Sequence, residues 1–356
     1  MKKHLLYLIG GLLLWSCLDP IDFNVEFPEN LIVVDGTFTN SEEPEEVRLS
    51  YAIDYGGQIF EPIEKARLSI HEENGASEAL LEIEPGIYQF QKKKVQGAVG
   101  KSYHLEIALE DGRIYESAPE LLRAAPPIDG FSYDISAVES VNDFGKVVSD
   151  FNFNLFVEST VNAEAESQFL RWEMVHVYAF EEPYLWYNSF PPDTCKICYV
   201  TQALDPQIIR LFDGSNFATA ASIKEQVATK TMDFTFNFAQ SYRVAQYRIS
   251  KAAFNYWSNI NQISNQVGNI FDAPPAPVLG NVRNLDDPSE EVLGYFSVAG
   301  VEKSAIFITK GDIFDRYQPP LFCGTEPRWP TDELAPFCYE CRLIEGSAKE
   351  RPFYWK

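Results

Sequence analysis

Short apolar runs separated by turn residues fill the chain from residue 31 to about residue 125. The runs follow each other at spacings of about 8–12 residues, and Val, Ile, Tyr, Phe and Thr recur in short bursts along the chain, which favours strands over helices. Asp111-Gly112 lies between two alternating runs and predicts a tight hairpin, whereas Asp35-Gly36 reads as a break between runs. The seven runs are Leu31–Val34, Val47–Tyr51, Ala66–Ile70, Leu80–Ile83, Ile87–Phe90, Tyr103–Ala108 and Ile114–Tyr115. We therefore predict an immunoglobulin-like or transthyretin-like β-sandwich over residues 31–125.

Ala124-Ala125-Pro126-Pro127 interrupts this pattern, and we place a domain boundary there. Three aromatic residues alternate with Thr235 and Asn237 in Phe234–Phe238, which predicts a strand with one core face. Strand-like runs resume at Phe151–Val157, Phe169–Phe180, Met232–Phe238 and Ser241–Ile249. The predicted fold is thus mostly β, with a larger β-rich C-terminal domain over residues 126–356.

One segment of the second domain has helical periodicity. Ser250 is a suitable N-cap, Gly268 fits the C-terminus, and prolines prevent continuation soon afterwards. Apolar residues recur at intervals of three and four at Ala253, Trp257, Ile260, Ile263, Val267 and Ile270. This pattern predicts one amphipathic helix near residues 250–268 whose apolar stripe is a core face, with a ligand groove as the alternative.

The N-terminus has the pattern of a signal peptide. Lys2 and Lys3 precede an apolar run of about 11 residues, which is too short to span the bilayer as a permanent helix. Leu14-Trp15-Ser16-Cys17 resembles the bacterial lipobox, so we predict cleavage of residues 1–16 and lipidation of Cys17. Residues 17–30 would then form a tether. An ordinary signal peptide or an uncleaved anchor with an incidental cysteine is the alternative.

The charge balance bears on the partners. The chain has 29 Lys and Arg against 52 Asp and Glu, a formal net charge of −23. A polyanion of this kind repels nucleic acid and anionic lipid. We therefore expect no nucleic-acid partner, and we interpret the charge as a source of solubility at a charged cell surface.

Five cysteines besides Cys17 are candidates for cross-links. Two pairs have Cys-x-x-Cys spacing, which in a cytosolic protein would predict a four-thiolate zinc site. Thiols of an exported protein tend to oxidise, so we predict two disulfides and one spare cysteine, and no metal. Zinc binding and a redox Cys-x-x-Cys remain alternatives, and the sequence does not choose the pairing. The five are Cys195, Cys198, Cys323, Cys338 and Cys341.

Catalytic motifs are missing from the sequence. It contains no Gly-x-Ser-x-Gly, His-Glu-x-x-His or Gly-rich phosphate loop. His71, His104 and His176 lie in predicted strands and are interpreted as structural or surface residues. Acidic residues around Pro288 could bind calcium or act as acid and base, but the proline favours an exposed turn. We therefore predict no catalytic residue and no cofactor.

An aromatic cluster is the candidate binding site. Its residues come just before Pro191-Pro192 in a predicted long loop, and Tyr and Trp are over-represented at binding hot spots. The alternative is that they cap the core of the second domain. The cluster is Tyr184, Trp186, Tyr187 and Phe190.

Several motifs together resemble one protein family. They include Gln266–Pro275, Leu279-Gly280-Asn281-Val282, Asp287-Pro288 to Ser297, Gly100–Leu105 and Cys338-x-x-Cys341-Arg342-Leu343. The sequence is similar in these motifs to the outer-membrane lipoproteins of the Bacteroidota known as domain of unknown function 4249. Only the end departs, since Arg351–Trp355 stands where the family tends to have a Gly-rich turn and a Pro-Asp-Phe-Trp-like close.

The resemblance implies a cellular location and a partner, but no catalytic activity. Such proteins are often encoded beside TonB-dependent outer-membrane receptors, and the family brings no catalytic residue. We therefore expect a non-catalytic lipoprotein of the outer membrane that faces the cell exterior and assists or binds such a receptor in nutrient uptake. A surface-anchored hydrolase acting on glycans or peptides and a structural envelope protein are the alternatives.

Overall fold

Strands dominate the computed structural model of the chain. It describes residues 31–52, 61–141, 144–161, 168–182, 197–204, 208–217, 219–265, 278–320, 323, 335–338 and 340–355. Within these ranges the strands form three sheets, and no helix combines the length and the apolar character needed to cross a membrane. The prediction of a mostly-β, sandwich-like fold is confirmed.

Some strands, such as Ser102–Ala108, alternate buried and partly exposed side chains, as a sheet with one core face requires, whereas the long strands contain runs of consecutive buried residues. The strands of the first half are β1 (Ile32–Thr39), β2 (Glu46–Tyr51), β3 (Glu61–Pro62), β4 (Arg67–Glu72), β5 (Ser77–Ala79), β6 (Leu81–Glu84), β7 (Ile87–Gln89), β8 (Ser102–Ala108), β9 (Ile114–Ser117) and β10 (Glu120–Leu121). Those of the second half are β11 (Ile128–Val141), β12 (Val147–Val161), β13 (Phe169–Glu181), β14 (Ile197–Ala203), β15 (Arg210–Asp213), β16 (Ala221–Thr231), β17 (Gln240–Ile249), β18 (Val282–Asn284), β19 (Val292–Ile308) and β20 (Ser347–Ala348).

Helical structure is sparse in the described ranges. The one long helix is α1 (Lys251–Asn265), and a single turn, α2 (Lys310–Ile313), follows β19. Short 3-10 helices lie at Gly214–Asn216, Phe234–Asn237, Pro336–Cys338 and Cys341–Leu343.

The first half of the chain forms a β-sandwich. One sheet runs β19-β1-β2-β7-β6 and the other runs β18-β9-β8-β4-β5. Their facing side chains form one core, in which the rings of Phe38 and Tyr103 meet at 5.0 Å. All seven predicted runs are strands of this sandwich. The Asp111-Gly112 hairpin is also confirmed, since β8 pairs with β9 and Gly112 has a φ of +95°.

Two expectations about the first half need correction. Asp35-Gly36 is not a break, because β1 continues through it to Thr39. Gly36 instead allows close approach of β2, since a Cβ at this position would lie 2.9 Å from a methyl carbon of Val47. The sandwich also does not end at residue 125: β19 pairs with β1 in parallel, and the first core includes Val282, Val292, Phe296 and Val298.

Strand β19 links the two halves of the fold. Its first part pairs with β1, and its last nine residues pair with β17 in the order β14-β13-β17-β19. A separate sheet, β11-β12-β16, packs on this half through a second core, in which the rings of Phe153 and Tyr242 stack at 5.0 Å. A single hydrogen-bonded sheet therefore passes through both halves of the described chain.

The predicted strand at Phe234–Phe238 is wrong. Residues 234–237 form a 3-10 helix, whose first turn is closed by Asp233 accepting a hydrogen bond from the Thr235 backbone N–H at 2.9 Å. This local side-chain cap competes with strand pairing. Phe236 is fully buried, but so is Thr235, and Phe234 and Phe238 are only partly buried, so the predicted core face of three aromatic residues does not form.

Helix α1 has the predicted start and the predicted packing. The Ser250 hydroxyl accepts a hydrogen bond from the Ala253 backbone N–H at 3.0 Å and donates one to Glu120 at 2.7 Å. Ala253 is fully buried in a cluster with Phe169 and Tyr295, and Trp257 packs at its edge. The apolar stripe thus contacts the large sheet, while residues 266–268 of the predicted helix lie outside the described ranges.

Candidate functional site

The cysteines form two disulfides, as predicted from export. Cys198 on β14 is bonded to Cys341, and Cys323 is bonded to Cys338, with Cα separations of 5.8 and 5.6 Å. Cys198, Cys338 and Cys341, three of the four cysteines in the zinc alternative, are therefore in disulfides. The fourth, Cys195, lies outside the described residues. No group of three or more His, Cys, Asp or Glu in the described ranges is arranged to hold a metal ion.

The other predicted site residues cannot be placed in the fold. Cys17 and the aromatic cluster of Tyr184, Trp186, Tyr187 and Phe190 lie outside the described residues. Lipidation and the role of the aromatic loop therefore stay predictions.

The histidines have structural surroundings. His176 is fully buried, is hydrogen-bonded to Gln240 at 2.8 Å and stacks on Tyr242 at 4.6 Å. Burial lowers the pKa of His176 to about 3, so this ring is uncharged at neutral pH. His71 and His104 stack on each other at 5.0 Å across β4 and β8.

The acidic turn around Pro288 is hydrogen-bonded to the β8–β9 hairpin. Glu290 accepts hydrogen bonds from the Tyr115 hydroxyl at 2.8 Å and from Arg113 at 3.0 Å. Asp287 is exposed and accepts a hydrogen bond from the Ser289 backbone N–H at 3.0 Å. Because these carboxylates already have partners within the turn and the hairpin, the interpretation as a surface turn is retained.

A cleft of about 370 Å³ opens on the large sheet where β1, β2 and β13 come together. Asp35 and Thr37 point into it, because side chains alternate along β1 and those of Val34 and Phe38 enter the core. Its lining residues, which define what we call the charged cleft, are Asp35, Gly36, Thr37, Glu45, Glu46, Arg48, Arg171 and Glu173.

Arg171 is the most constrained side chain of the charged cleft. It is only 7% exposed and forms an ion pair with Glu173 at 2.6 Å. Its guanidinium carbon lies 5.2 Å from the ring centre of Tyr247 on β17 and 4.6 Å from that of Trp257 on α1. Its Nε has no hydrogen-bond partner within the described part of the chain. Helix α1 and β17 therefore fix the position of this buried positive charge.

Asp35 is a partly desolvated carboxylate of the charged cleft, directly across the strand pair from Arg48. It is open to solvent on one side, but the surrounding protein displaces enough water to raise its pKa above the usual value for an aspartate. Arg171 and Arg48 oppose this effect, and Glu173 adds to it. Among the described residues, no hydrogen bond or ion pair reaches its side chain.

A second candidate feature is the end of the β11–β12 hairpin. These strands pair up to Val141 and Val147, whereas β16 pairs with β12 only from Asn152 onward. The last pairs therefore form a two-stranded ribbon. Val141, Phe144 and Val147 are 68%, 94% and 58% exposed, and we call these three residues the hairpin tip.

The hairpin tip lies on the same face of its strands as residues of the second core. Val147 shares a face of β12 with Phe151 and Phe153, and Phe153 is fully buried in the second core. The same face of β11 includes Val141 and Ile135, which pair with Val147 and Phe153. The exposed pair of Glu139 and Ser149 lies between these apolar pairs, so the tip is a separate apolar patch in solvent.

Sequence reasoning missed both features. Period-two alternation of apolar residues in Phe131–Ala137, repeated in Phe151–Val157 across a Gly-containing turn, was the signal for the long hairpin. For the charged cleft, the signal was weaker: Asp35 and Arg171 are charged residues within otherwise apolar runs. No local pattern brings these two residues together.

Solved structures with some similarity to this chain give no argument about its function. One is the crystal structure of chicken CNTN1 FN1–FN3 domains, with 9% identity, a TM-score of 0.18 and 62% of each chain covered. Another is the BSP domain of a biofilm-associated protein, with 6% identity, a TM-score of 0.16, and coverage of 77% of this chain and 59% of that one. This chain thus spans less than two thirds of the length of either structure.

Curated proteins add no relative, since none matches this sequence. A family model, described as Domain of unknown function (DUF4249), matches residues 18–305. This range includes both β-rich halves, helix α1, the charged cleft and the hairpin tip, so the match is to most of the folded chain. The protein belongs to the DUF4249 family.

Proposed function

We propose that this protein is a non-catalytic lipoprotein, anchored in the outer membrane through Cys17, that assists a TonB-dependent receptor in nutrient uptake. The signal-peptide pattern and the lipobox-like tetrapeptide support the anchoring. The resemblance to Bacteroidota lipoproteins supports the receptor setting. The location on the outside of the cell and the receptor partner are parts of the same proposal.

The hairpin tip is the observation that carries the proposal. Exposed apolar side chains that lie together mark interaction surfaces. Val141 and Val147 form a cross-strand pair, and Phe144 lies in the connection between their strands with 94% of its surface exposed. A two-stranded ribbon is only marginally stable alone, so a partner that covers the hairpin tip would both bury apolar surface and stabilise the ribbon.

The test is co-purification of the full chain with a TonB-dependent receptor of the same cell, in mild detergent. Changing Val141, Phe144 and Val147 to Ser should lower receptor recovery about tenfold or more, since hot-spot truncations cost roughly 2 kcal/mol or more each. The matched control changes Leu81 and Val99 to Ser. These side chains are 54% and 55% exposed on the first half of the fold, and recovery should stay unchanged.

Two outcomes contradict the proposal. Equal recovery of the receptor with the tip variant and the wild type would remove the hairpin tip from the interface. Failure of the wild type to recover any receptor would count against the receptor partner itself. A parallel variant, Trp186→Ala with Tyr187→Ala, tests whether the predicted aromatic loop contributes to the same contact.

Anchoring has its own test. Cys17→Ala should abolish membrane retention and incorporation of a clickable fatty acid. A fatty-acid label on the alanine variant would refute lipidation at this residue, whatever the receptor experiment shows.

One observation favours the hydrolase alternative. A carboxylic acid with a raised pKa in a cleft is a candidate general acid, and Asp35 has these properties. A second carboxylate would have to act as base or nucleophile, but Glu173 is held by Arg171 at 2.6 Å and by the Tyr247 hydroxyl at 2.9 Å. Turnover of a glycan or peptide panel that disappears in Asp35→Asn would establish the enzyme and overturn the non-catalytic proposal.

A further inference from the structure

We infer that β11 accepts an extended segment of a partner polypeptide as a fourth strand of its sheet. The segment has apolar side chains on the face toward the second core and basic side chains on the opposite face. Strand addition at β11 goes beyond the proposed function, because it uses the free side of this strand and not the hairpin tip.

The strands that end the three sheets differ in length. The large sheet ends in β20 and β6, which have two and four residues, and the second sheet of the sandwich ends in β18 and β5, which have three residues each. The small sheet β11-β12-β16 instead ends in strands of 14 and 11 residues. Very short end strands offer little backbone to another chain, whereas long ones are templates for pairing. Among these sheet ends, β11 and β16 therefore offer the long edges.

The backbone of β11 is regular along most of its free side. From Gly130 to Val141 every residue is in register with β12 without a bulge. Alternate residues of an antiparallel pair direct their N–H and C=O groups away from the partner, so about six residues present both groups on the free side. In the described ranges no other strand pairs with β11, and no turn or loop bonds to its backbone there. An extended peptide backbone supplies donors and acceptors in the matching order.

The core face of β11 is incompletely covered. Phe131, Tyr133 and Ile135 pack against the second core but stay partly exposed. Phe153 and Leu155, which lie across from Ile135 and Tyr133 on β12, are fully buried. A fourth strand with apolar side chains on this face would cover the exposed parts of the β11 residues and gain free energy from their burial.

The other long end strand, β16, lacks this opening. Ile223, Val227 and Ala228 on it are only 6%, 3% and 1% exposed, so an added strand would bury little further apolar surface. It also carries Lys224 and Lys230, and lysines on an end strand oppose pairing with another chain. The regular part of β11 contains no lysine, arginine or proline. Of the two long edges, β11 is therefore the one that can accept a strand.

The charge on β11 selects among the chains that could add. Asp134 is exposed on the face away from the core, where its neighbours along the strand are Ser132 and Ser136. A basic side chain directly across from Asp134 would form a stabilising cross-strand pair, whereas an acidic one would be repelled. A second copy of this chain would bring the same acidic strand and a formal net charge of −23, so it is disfavoured. The fitting partner is a segment in which apolar and basic residues alternate.

Titration of the full chain with a synthetic strand at physiological salt tests strand addition. The probe is acetyl-Lys-Val-Lys-Val-Lys-Val-Lys-amide, and its matched control is the same peptide with two adjacent central backbone nitrogens methylated, which blocks pairing on both sides. We expect the probe to bind about tenfold more tightly than the control or better, because the added strand is held by backbone hydrogen bonds. Equal binding of the two peptides, or no binding of the probe, would overturn the inference.

Hydrogen exchange measured by mass spectrometry locates the added strand. The probe should slow amide exchange about fivefold or more in the fragments that cover residues 130–137, because free N–H groups of β11 become hydrogen-bonded. Exchange in β16 should stay the same. Slowing confined to β16 or to any other strand would place the probe elsewhere and overturn the assignment to β11.

A pair of lysine substitutions tests the edge itself. Asp134→Lys should weaken binding of the probe about fivefold or more, because it places a like charge across from the lysines of the probe. Gln226→Lys is the matched control, since Gln226 is exposed on the same face of the sheet but belongs to β16. Thermal unfolding shows that both variants are folded. Equal affinity of Asp134→Lys and wild type, or equal weakening by both substitutions, would contradict strand addition at β11.

Two further measurements separate strand addition from self-association and from the receptor contact. A dimer in sedimentation whose β11 is protected from exchange without the probe would make a second copy the occupant and overturn the assigned partner. The tip variant, in which Val141, Phe144 and Val147 are changed to Ser, should bind the probe as wild type does, and loss of binding would move the site to the tip. Probe binding without receptor recovery supports strand addition and contradicts the receptor proposal, while receptor recovery without probe binding does the reverse.

Discussion

The charged cleft and the hairpin tip differ in how they are held by the fold. In the cleft, Arg171 is buried, paired with Glu173 and in contact with two aromatic rings from other elements. At the tip, Val141 and Phe144 expose most of their surface. Substitution of Arg171 should therefore lower stability, whereas a substitution at the tip can leave stability nearly unchanged.

They also differ in how the chain assembles them. The tip comes from one contiguous hairpin, whereas the cleft joins Asp35 and Arg48 to Arg171 across more than 100 residues of sequence. A local hairpin forms at low entropic cost, while the cleft exists only after β1, β13 and β19 have joined one sheet. The following predictions test this difference, beginning with the largest expected effect.

Removal of the long-range disulfide should cost the fold most. Cys198 and Cys341 are 143 residues apart, and Cys198 lies on β14, which pairs with the cleft strand β13. Changing both to Ala should lower the free energy of unfolding by about 5 kcal/mol, because a loop of this length restricts the unfolded chain strongly. Urea unfolding under oxidising conditions measures this loss.

The second disulfide is the matched control. Cys323 and Cys338 are 15 residues apart, so changing both to Ala should cost only about 3 kcal/mol by the same argument. An equal or larger loss for the short loop would show that packing around the bonds, rather than chain entropy, sets their contribution.

Arg171→Met tests the coupling of the charged cleft to the fold. The substitution keeps the length of the side chain but removes the ion pair to Glu173 and the cation–π contacts with Tyr247 and Trp257. We expect a loss of about 2 kcal/mol, since desolvated cation–π contacts reach this size and Glu173 is left half exposed rather than buried. Urea unfolding of Arg48→Met, an exposed arginine of the same cleft, should differ from wild type by less than about 0.5 kcal/mol.

A loss with Arg171→Met no larger than that with Arg48→Met would contradict the comparison. It would mean that the cleft, like the hairpin tip, can be changed without consequence for stability.

Asp35→Asn gives a smaller effect that depends on pH. Burial raises the pKa of Asp35 above 3.8, opposed by Arg171 and Arg48 and aided by Glu173, and Tyr256 of α1 faces it as a neutral phenol. A raised folded-state pKa means that the stability provided by the protonated carboxyl is complete below about pH 3.8 and is lost as pH rises through the folded pKa. The asparagine variant should therefore gain stability relative to wild type as pH rises from about 3.8 through the raised folded-state pKa.

Urea unfolding of both proteins across this range measures the difference. A stability difference that stays constant with pH would show that Asp35 titrates as it does in the unfolded chain. The same titration for Asp286→Asn is the control, because its carboxylate is exposed and lies outside the cleft.

Local features of the fold could be read from the sequence because their determinants lie within a few residues. The Asp111-Gly112 turn needs only a residue with positive φ between two strands, and Gly112 has a φ of +95°. The start of helix α1 needs only Ser250 and the backbone N–H of Ala253. The strand predicted at Phe234–Phe238 was wrong although its determinant is also local. The rule of alternating apolar residues does not take account of the side-chain cap from Asp233.

Features that depend on distant segments could not be read in this way. Val34 pairs with Gly294 and Leu49 at once, and nothing near Val34 indicates that its parallel neighbour comes 260 residues later. The first core includes Val292 and Phe296 from beyond the predicted boundary, so the break in the strand pattern at Ala124–Pro127 does not mark the end of the sandwich. The charged cleft depends on this same pairing, and it was missed for this reason.

The smallest stability effect should come from the hairpin tip, where Val141, Phe144 and Val147 are changed to Ser together. Their surface is already exposed, so only strand propensity is lost, which amounts to less than about 1 kcal/mol. Phe153→Ala is the control, because it lies on the same face of β12 but is fully buried, and it should cost about 3–5 kcal/mol. Thermal and urea unfolding of both variants measure the contrast. A tip variant that loses as much stability as Phe153→Ala would show that the tip packs against the protein itself, and the difference drawn between the two regions would then fail.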